Sequence, residues 1–338
     1  MIGEPRYVGR QTRIVGTGSY LPERVVDNAV ISRGLRLAPD AMFRRTGIRT
    51  RRWAREEETA SLLAAQAARH ACDAAGVSPA SLDAILVSTT SPDTIFPATA
   101  CHLQRHLGSK GTAAFDVAAS CSGFLYGLSM ADRLIQSGQF GRCLVVATEI
   151  KSRFLDLEDE GTAILFGDGA GAALLVGEHS QGNKVPGIMA VRLYADGSRH
   201  GLIQVPAGGS REPASHQTVA DGRHRLRMQG GPLFRVAVKR MADAVREILK
   251  EFSLDADQLG QVIFHQANGR LLASLARRLG LSPERVFSVI EEFGNTSSAS
   301  LPIALDRANR EGRLRPGEVV LLGAFGGGLT WATALVRW

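Results

Sequence analysis

Two stretches of equal length decide the fold: CSGFLYGLSMADRLIQSG (Cys121–Gly138) and NTSSASLPIALDRANREG (Asn295–Gly312). An Asp-Arg pair falls at the same place in each, Asp132-Arg133 in the first and Asp306-Arg307 in the second, and both close on glycine. An apolar run follows each, CLVVAT (Cys143–Thr148) and VVLLGA (Val319–Ala324). Upstream the parallel continues. LDAILVS (Leu82–Ser88) matches LGQVIFH (Leu259–His265), and HLQRHLG (His102–Gly108) matches SLARRLG (Ser274–Gly280). Four matches in one order point to a duplicated unit rich in β-α-β connections, with Cys121 and Asn295 at matching positions of its two copies.

Strand and helix signals alternate along the whole chain, which argues for an α/β fold. Strands are expected at 13–16, 84–88, 113–117, 143–148, 172–176, 262–265, 286–289, 319–322 and 332–337. Helices are expected at 59–76, 98–107, 122–137, 232–252, 269–279 and 301–311, where apolar residues recur at helical spacing and glycine follows closely. The polar, glycine-rich stretch from His179 to Gly231 has weaker periodicity and reads as a linker with surface excursions. The halves are therefore expected at 1–180 and 181–338.

The chain has 338 residues, 44% of them hydrophobic and 22% charged, which suits a large buried core. No apolar run is long enough to span a bilayer. The opening MIGEPRYVGRQTR holds no apolar stretch of the kind a secretion leader needs. A cytoplasmic enzyme is the expectation, with no membrane association. Cys72, Cys101, Cys121 and Cys143 are widely spaced, without a CxxC pair or HExxH, so neither a metal site nor a disulfide framework is expected. The net charge of +7 suits an anionic partner such as a phosphorylated cofactor or an acidic protein, and equally a general preference for arginine. With aromatics at only 6% and no basic stretch interleaved with them, nucleic acid is not expected.

Cys121 sits where a buried strand runs through small residues into an amphipathic helix, AFDVAASCSGFLYGLSMADRL. A thiol at a helix N-terminus feels the positive end of the dipole, which lowers its pKa, and small neighbours admit a substrate. A buried structural cysteine fits the same pattern. His265 ends an apolar strand in VIFHQANGR, where chemistry collects in α/β folds, though a core histidine bonded to backbone would look alike. Asn295, in EEFGNTSSASLP, reads locally as a turn asparagine, with Ser298 or Ser300 placed to cap the helix that Pro302 opens. LLGAFGGGLTWATALV places three glycines between apolar strands, suiting an oxyanion hole or a tight hairpin. FGDGAGAALLV lacks a P-loop lysine and reads as a structural turn, and GTGSYL fails the dinucleotide pattern at its last position. Cys72, Cys101 and Cys143 fall in apolar patterns and read as core.

Taken together, GTGSYLP, RRTGIRTR, FPATACHLQ, FDVAASCSGFLYGL, FGDGAGAA, YADGS, HQANGR, GNTSSAS and AFGGGLTWATALVRW closely resemble the β-ketoacyl-acyl-carrier-protein synthase III family of the thiolase superfamily, over nearly the whole chain. The resemblance implies a five-layer αβαβα fold of two fused similar halves, and a homodimer. It implies an acyltransferase in which Cys121 takes the primer acyl group from a thioester. His265 and Asn295 would then stabilise the enolate formed as malonyl-acyl-carrier protein loses carbon dioxide. Backbone N–H groups of Cys121 and Gly327 would form the oxyanion hole at the acyl-enzyme carbonyl. Phe96 would shape the primer pocket across the dimer, and Arg45 and Thr46 would contact coenzyme A. Arg235, Gln266, Ala267, Asn268, Gly269, Arg270, Arg277 and Arg278 would face the acyl carrier protein. No metal or redox cofactor is implied, and coenzyme A and carrier-protein thioesters enter as substrates.

Two positions depart from the family pattern. Ala41 stands where members often have a tryptophan, and Glu160 where they have an arginine, the pair that clamps the coenzyme A adenine. A specialised paralogue with another primer, or a primer delivered on a carrier protein, is the alternative. An acyltransferase that does not decarboxylate malonate is another, and a non-catalytic scaffold is the third.

Overall fold

The repeat is realised as two five-stranded mixed sheets. The computed structural model describes residues 10–179 and 185–338. The first sheet uses β1 (Arg10–Tyr20), β2 (Ala84–Ser88), β3 (Ala113–Asp116), β4 (Arg142–Glu149) and β5 (Gly169–His179), in the order β1-β5-β4-β2-β3. The second uses β6 (Gly187–Ala195), β7 (Leu259–Phe264), β8 (Val286–Phe287), β9 (Val319–Gly326) and β10 (Thr330–Arg337), in the order β6-β10-β9-β7-β8. Both have the same pattern of three antiparallel strands followed by parallel ones. The expected boundary at residue 180 falls outside the described residues.

Parallel neighbours need a crossover, and helices supply it at equivalent places. After α1 (Pro39–Thr46) and α2 (Ala60–Ala75), the helix α3 (Thr99–Leu107) joins β2 to β3, and α4 (Gly123–Gln136) joins β3 to β4. In the second half, α5 (Gly230–Glu251) precedes β7, α6 (Gly269–Leu279) joins β7 to β8, and α7 (Ser300–Arg310) joins β8 to β9. Gly108 and Gly280 take left-handed backbone after α3 and α6, which is why Leu-Gly closes both sequence repeats.

The apolar faces explain the stacking. Strand β2 is buried at every residue, as a strand covered on both faces must be. On the outer side of the first sheet, α2 and α3 cover it with an alanine-rich core. Between the sheets lie α4 and α7, whose Phe124, Leu128, Leu301 and Ile303 fill the central layer. Beyond the second sheet, α5 and α6 complete the outer layer. The result is the expected five-layer αβαβα arrangement. Gly18 of GTGSYL is explained by this packing, since a Cβ there would lie 2.3 Å from the Ala67 carbonyl oxygen of α2. The glycine lets a helix backbone rest directly on the strand.

The structure departs from sequence expectation at four places. Residues 187–195, read as part of a linker, form the edge strand β6, paired with β10. Residues 39–46, for which the sequence pattern gives no helix, form α1, opened by Pro39 and closed by left-handed Gly47. Cys101 is exposed rather than core, because Ala100 and Leu103 carry the buried face of α3 and Cys101 points off it. The two copies also register differently from the sequence match. Ser120 and Ser297 both have left-handed backbone, with φ of 48° and 53°, and each opens a 3-10 turn leading into α4 or α7. Cys121 therefore corresponds to Ser298, and Asn295 lies before the matching turn. The equal lengths of the two segments conceal one extra turn in α4, which runs 14 residues against 11 in α7.

Candidate active site

Cys121, His265 and Asn295 line one cavity of about 470 Å³, together with Arg45, Thr46, Gly327, Arg235, Ala267, Asn268 and Arg270. Much of the remaining wall is apolar, with Ile164, Leu165, Phe234, Met241 and Leu271 among its residues. Such a space suits a flexible chain with few polar groups.

Cys121 lies in the first turn leading into α4 and is 7% exposed. Its Sγ is 3.3 Å from the Ser297 Oγ. A lowered thiol pKa was expected from the helix dipole. Instead burial pushes the thiol up, and the charge of Lys151 only partly offsets it. The backbone nitrogen of Cys121 closely approaches Gly326, where a Cβ would lie 2.6 Å from it. Glycine there keeps the Cys121 amide unobstructed. The Gly327 N–H donates to Ser120 Oγ at 3.2 Å.

His265 follows β7 and is 5% exposed. Its Nδ1 is 2.6 Å from Ser300 Oγ, which also accepts the Gln266 N–H at 3.0 Å. Burial drives the imidazole down to about 4, against the raising effects of Glu149 and the Ser297 backbone. At neutral pH the ring is uncharged. The expected serine cap of α7 is not formed. Ser300 turns to His265, while Ser298 turns to Glu149 and the Ser88 carbonyl.

Asn295 is fixed by its oxygen. Oδ1 accepts the Ser297 N–H at 2.8 Å, and Nδ2 donates to the Ala267 carbonyl at 3.3 Å. One amide hydrogen is left for the cavity. Ser297 and Ser300 were missed as partners in the sequence, although GNTSSAS signals an unusual density of hydroxyls beside the asparagine.

The outer positions divide. Arg45 stands at the cavity mouth, paired with Glu160 at 3.0 Å. Thr46 is buried, and its hydroxyl is occupied by the Met42 carbonyl and the Ile48 N–H. Asn268 caps α6 through the Arg270 N–H, and Gly269 packs against the Thr46–Gly47 backbone. Arg235, Arg270, Arg277 and Arg278 are exposed. Gln266 is not available to a partner. It is fully buried, donates to the Phe264 carbonyl and accepts from Ser288 and Val289. Phe96 is outside the cavity, 83% exposed beside Ile95 at 87%. Among the described residues no group of three or more His, Cys, Asp or Glu is placed to hold a metal ion. Among them no helix is long and apolar enough to cross a membrane.

Two fused five-stranded halves in five layers, with a cysteine at the buried start of one central helix, define a thiolase-like condensing fold. The profile of 3-oxoacyl-[acyl-carrier-protein] synthase III matches residues 115–197, and the profile of its C-terminal part matches residues 249–338. The β-ketoacyl-[acyl-carrier-protein] synthase III of Methylococcus capsulatus is 44% identical over 331 residues, covering 98% of this chain and 100% of that one. The crystal structure of 3-oxoacyl-[acyl-carrier-protein] synthase III from Aquifex aeolicus VF5 superposes with a TM-score of 0.88 at 41% identity, covering 97% of this chain and 100% of the other. The priming β-ketosynthase of the R1128 polyketide pathway reaches 0.88 at 36% identity, covering 97% and 96%. The chain belongs to the β-ketoacyl-[acyl-carrier-protein] synthase III family, and is a condensing acyltransferase.

Proposed function

We propose that the chain joins an acyl primer to a malonyl unit on acyl carrier protein by decarboxylative Claisen condensation, the step that initiates fatty acid synthesis. Cys121 attacks the primer thioester and keeps the acyl group, with the backbone N–H of Cys121 facing the carbonyl oxygen; the Gly327 N–H joins it only by leaving Ser120 Oγ, to which it donates at 3.2 Å. His265 and Asn295 then donate to the malonyl thioester oxygen as carbon dioxide leaves, and the resulting carbanion attacks the acyl-cysteine. The observation that carries this reading is the pair of neutral donors. Uncharged His265 and Asn295, with one amide hydrogen unused, both line the cavity that holds the thiol; in this reading Ser300 Oγ donates to Nδ1 and the His265 proton sits on Nε2. Fixed neutral donors suit a developing oxyanion. The chemistry calls for no metal or redox cofactor.

Carbon dioxide release from malonyl-carrier protein tests the reaction. We expect release matched one to one with condensed product. Acyl transfer without release would support transfer to an alcohol or amine instead.

Acidic carrier protein would dock on the exposed Arg235, Arg270, Arg277 and Arg278. A second copy of the chain would cover Ile95 and Phe96, since two adjacent large apolar side chains this exposed mark a contact surface. A cytoplasmic location follows from these substrates.

The Arg45–Glu160 pair favours a second reading of the primer. An arginine placed for phosphate is held by a carboxylate, and the added anion opposes a polyphosphate. A primer delivered on carrier protein, or one unlike acetyl, then fits better. Glu160→Gln is expected to lower KM for an acyl-coenzyme A about threefold to tenfold, with little change for an acyl-carrier donor. Steady-state acylation with both donors checks this. Fast, selective acylation of the wild type by acetyl-coenzyme A would overturn the reading.

A further inference from the structure

A buried ion pair lies beneath the nucleophile and has no part in the chemistry above. Glu149 ends β4 fully buried, and the Lys151 ammonium is 3.3 Å from its carboxylate with the lysine side chain only 8% exposed. Glu149 also accepts from the Thr90 amide at 3.2 Å, the Thr90 hydroxyl at 3.0 Å, Ser91 at 2.6 Å, Ser297 at 3.0 Å and Ser298 at 2.8 Å. Burial works against its charge, but Lys151 and these donors outweigh burial and hold its carboxyl below the usual range. Stability alone is a poor reason for such a group, since a buried pair is often no better than an apolar replacement.

Ser297 connects this carboxylate to the thiol. A hydroxyl carries one hydrogen, and a carboxylate only accepts, so Ser297 gives its hydrogen to Glu149. Only lone pairs then face Cys121 Sγ at 3.3 Å, and the thiol is the donor. The left-handed backbone of Ser297, at φ 53°, and the bond from its N–H to Asn295 fix this hydroxyl in place. Cys121, Ser297 and Glu149 thus form one directed line. The titratable groups facing the thiol are Glu149 and Lys151 from the first half and neutral His265 from the second.

We propose that this line is a proton relay for loading Cys121, with Glu149 its terminal acceptor and Lys151 holding that acceptor ionised. The proposal rests on the acyl-cysteine reading above. As Sγ bonds to the thioester carbonyl carbon, the S–H bond breaks and its proton passes to Ser297 Oγ. The Ser297 hydrogen passes to Glu149, which becomes a neutral carboxyl. When the tetrahedral intermediate collapses, the carbon–sulfur bond to the leaving thiol breaks. The proton returns through Ser297 to that departing sulfur, and Glu149 is a carboxylate again. Ser297 thus contacts the reacting atom, and the two charged residues act through it.

The test measures single-turnover acylation of the full chain in wild type, Ser297→Ala and the double variant Glu149→Gln, Lys151→Met. The double variant removes both charges, so no unpaired charge is left buried. Both are expected to acylate about 100-fold more slowly. In mixtures of light and heavy water the wild-type rate should follow a curved dependence, as two protons move together, and the double variant a linear one. Alkylation of the wild-type thiol by iodoacetamide should rise with pH between about 6 and 9, as for a resting thiol. Wild-type acylation rates in both variants, or a linear wild-type isotope dependence, would overturn the relay while leaving the acyl-cysteine intact. pH-independent alkylation would also overturn it, because the thiol would already lack its proton. A wild type that takes up no acyl group overturns the acyl-cysteine reading and the relay with it.

Discussion

A Cys121→Ala variant will take up no acyl group from any thioester and will lose condensation by about four orders of magnitude or more. The other free cysteines offer no substitute. Cys72 and Cys143 are sealed in the core, where burial pushes their thiols up to about 11 and about 12, and Cys101 lies on the outer surface of α3. Decarboxylation should behave differently. Its donors, His265 and Asn295, come from the second half and are held by Ser300, Ser297 and the Ala267 carbonyl, none of which needs the sulfur. Carbon dioxide release from malonyl-carrier protein should therefore persist in Cys121→Ala while condensed product disappears. Equal loss of both would mean that one site performs a single inseparable step.

His265→Ala is expected to show the reverse. Acyl uptake by Cys121 should continue, and carbon dioxide release should fall by a factor of about 10² to 10³, the usual cost of losing one oxyanion donor. A quenched-flow assay of each half-reaction separates the two. The same residue predicts a pH effect on stability. Its imidazole titrates near 4 when folded and near 6.5 when unfolded. Between those values the unfolded chain binds a proton that the folded chain does not. Stability from this group is complete above 6.5 and falls with decreasing pH through that window, by about 1.4 kcal/mol per pH unit at most. Urea midpoints measured across the window should fall more steeply for wild type than for His265→Ala. Identical slopes would show that the ring is not buried neutral.

Much of this arrangement is legible in the sequence because it rests on short-range signals. AILVS reads as a strand at 84–88 and is one, residue for residue, buried throughout. The helix 269–279 is likewise framed by Asn268 and Gly280. Elements with mixed character were harder. GIMAVRLYA forms an edge strand with exposed and buried residues interspersed, inside a glycine-rich stretch, so its periodicity is weak. The repeat exposed the duplicated architecture, yet its register slipped because one inserted helical turn preserves the helical face. Backbone conformation, seen in Ser120 and Ser297, was needed to correct it.

The site followed the same pattern. Cys121, His265 and Asn295 stand at strand ends and helix starts, where sequence punctuation is clear. Ser298 and Ser300 read locally as capping residues, because nothing in the sequence tells a serine which of two nearby groups it faces. Gln266 was placed on a surface it does not reach, since HQANGR alternates inward and outward at the end of a strand. Glu149 did leave a trace. A glutamate closing the apolar run CLVVATE, with lysine two residues on, is out of place unless something buried needs it. The departure at Glu160 was visible too, and the structure gave it a partner in Arg45.

The central claim is that Cys121 carries the acyl group. Intact mass of the chain after incubation with acyl-coenzyme A and acyl-carrier donors, followed by peptide mapping, tests it most directly. One added acyl group in place of one hydrogen, mapped to Cys121 and absent from Cys121→Ala, is the predicted result. No covalent adduct with any donor, or an adduct on another residue, would contradict the account.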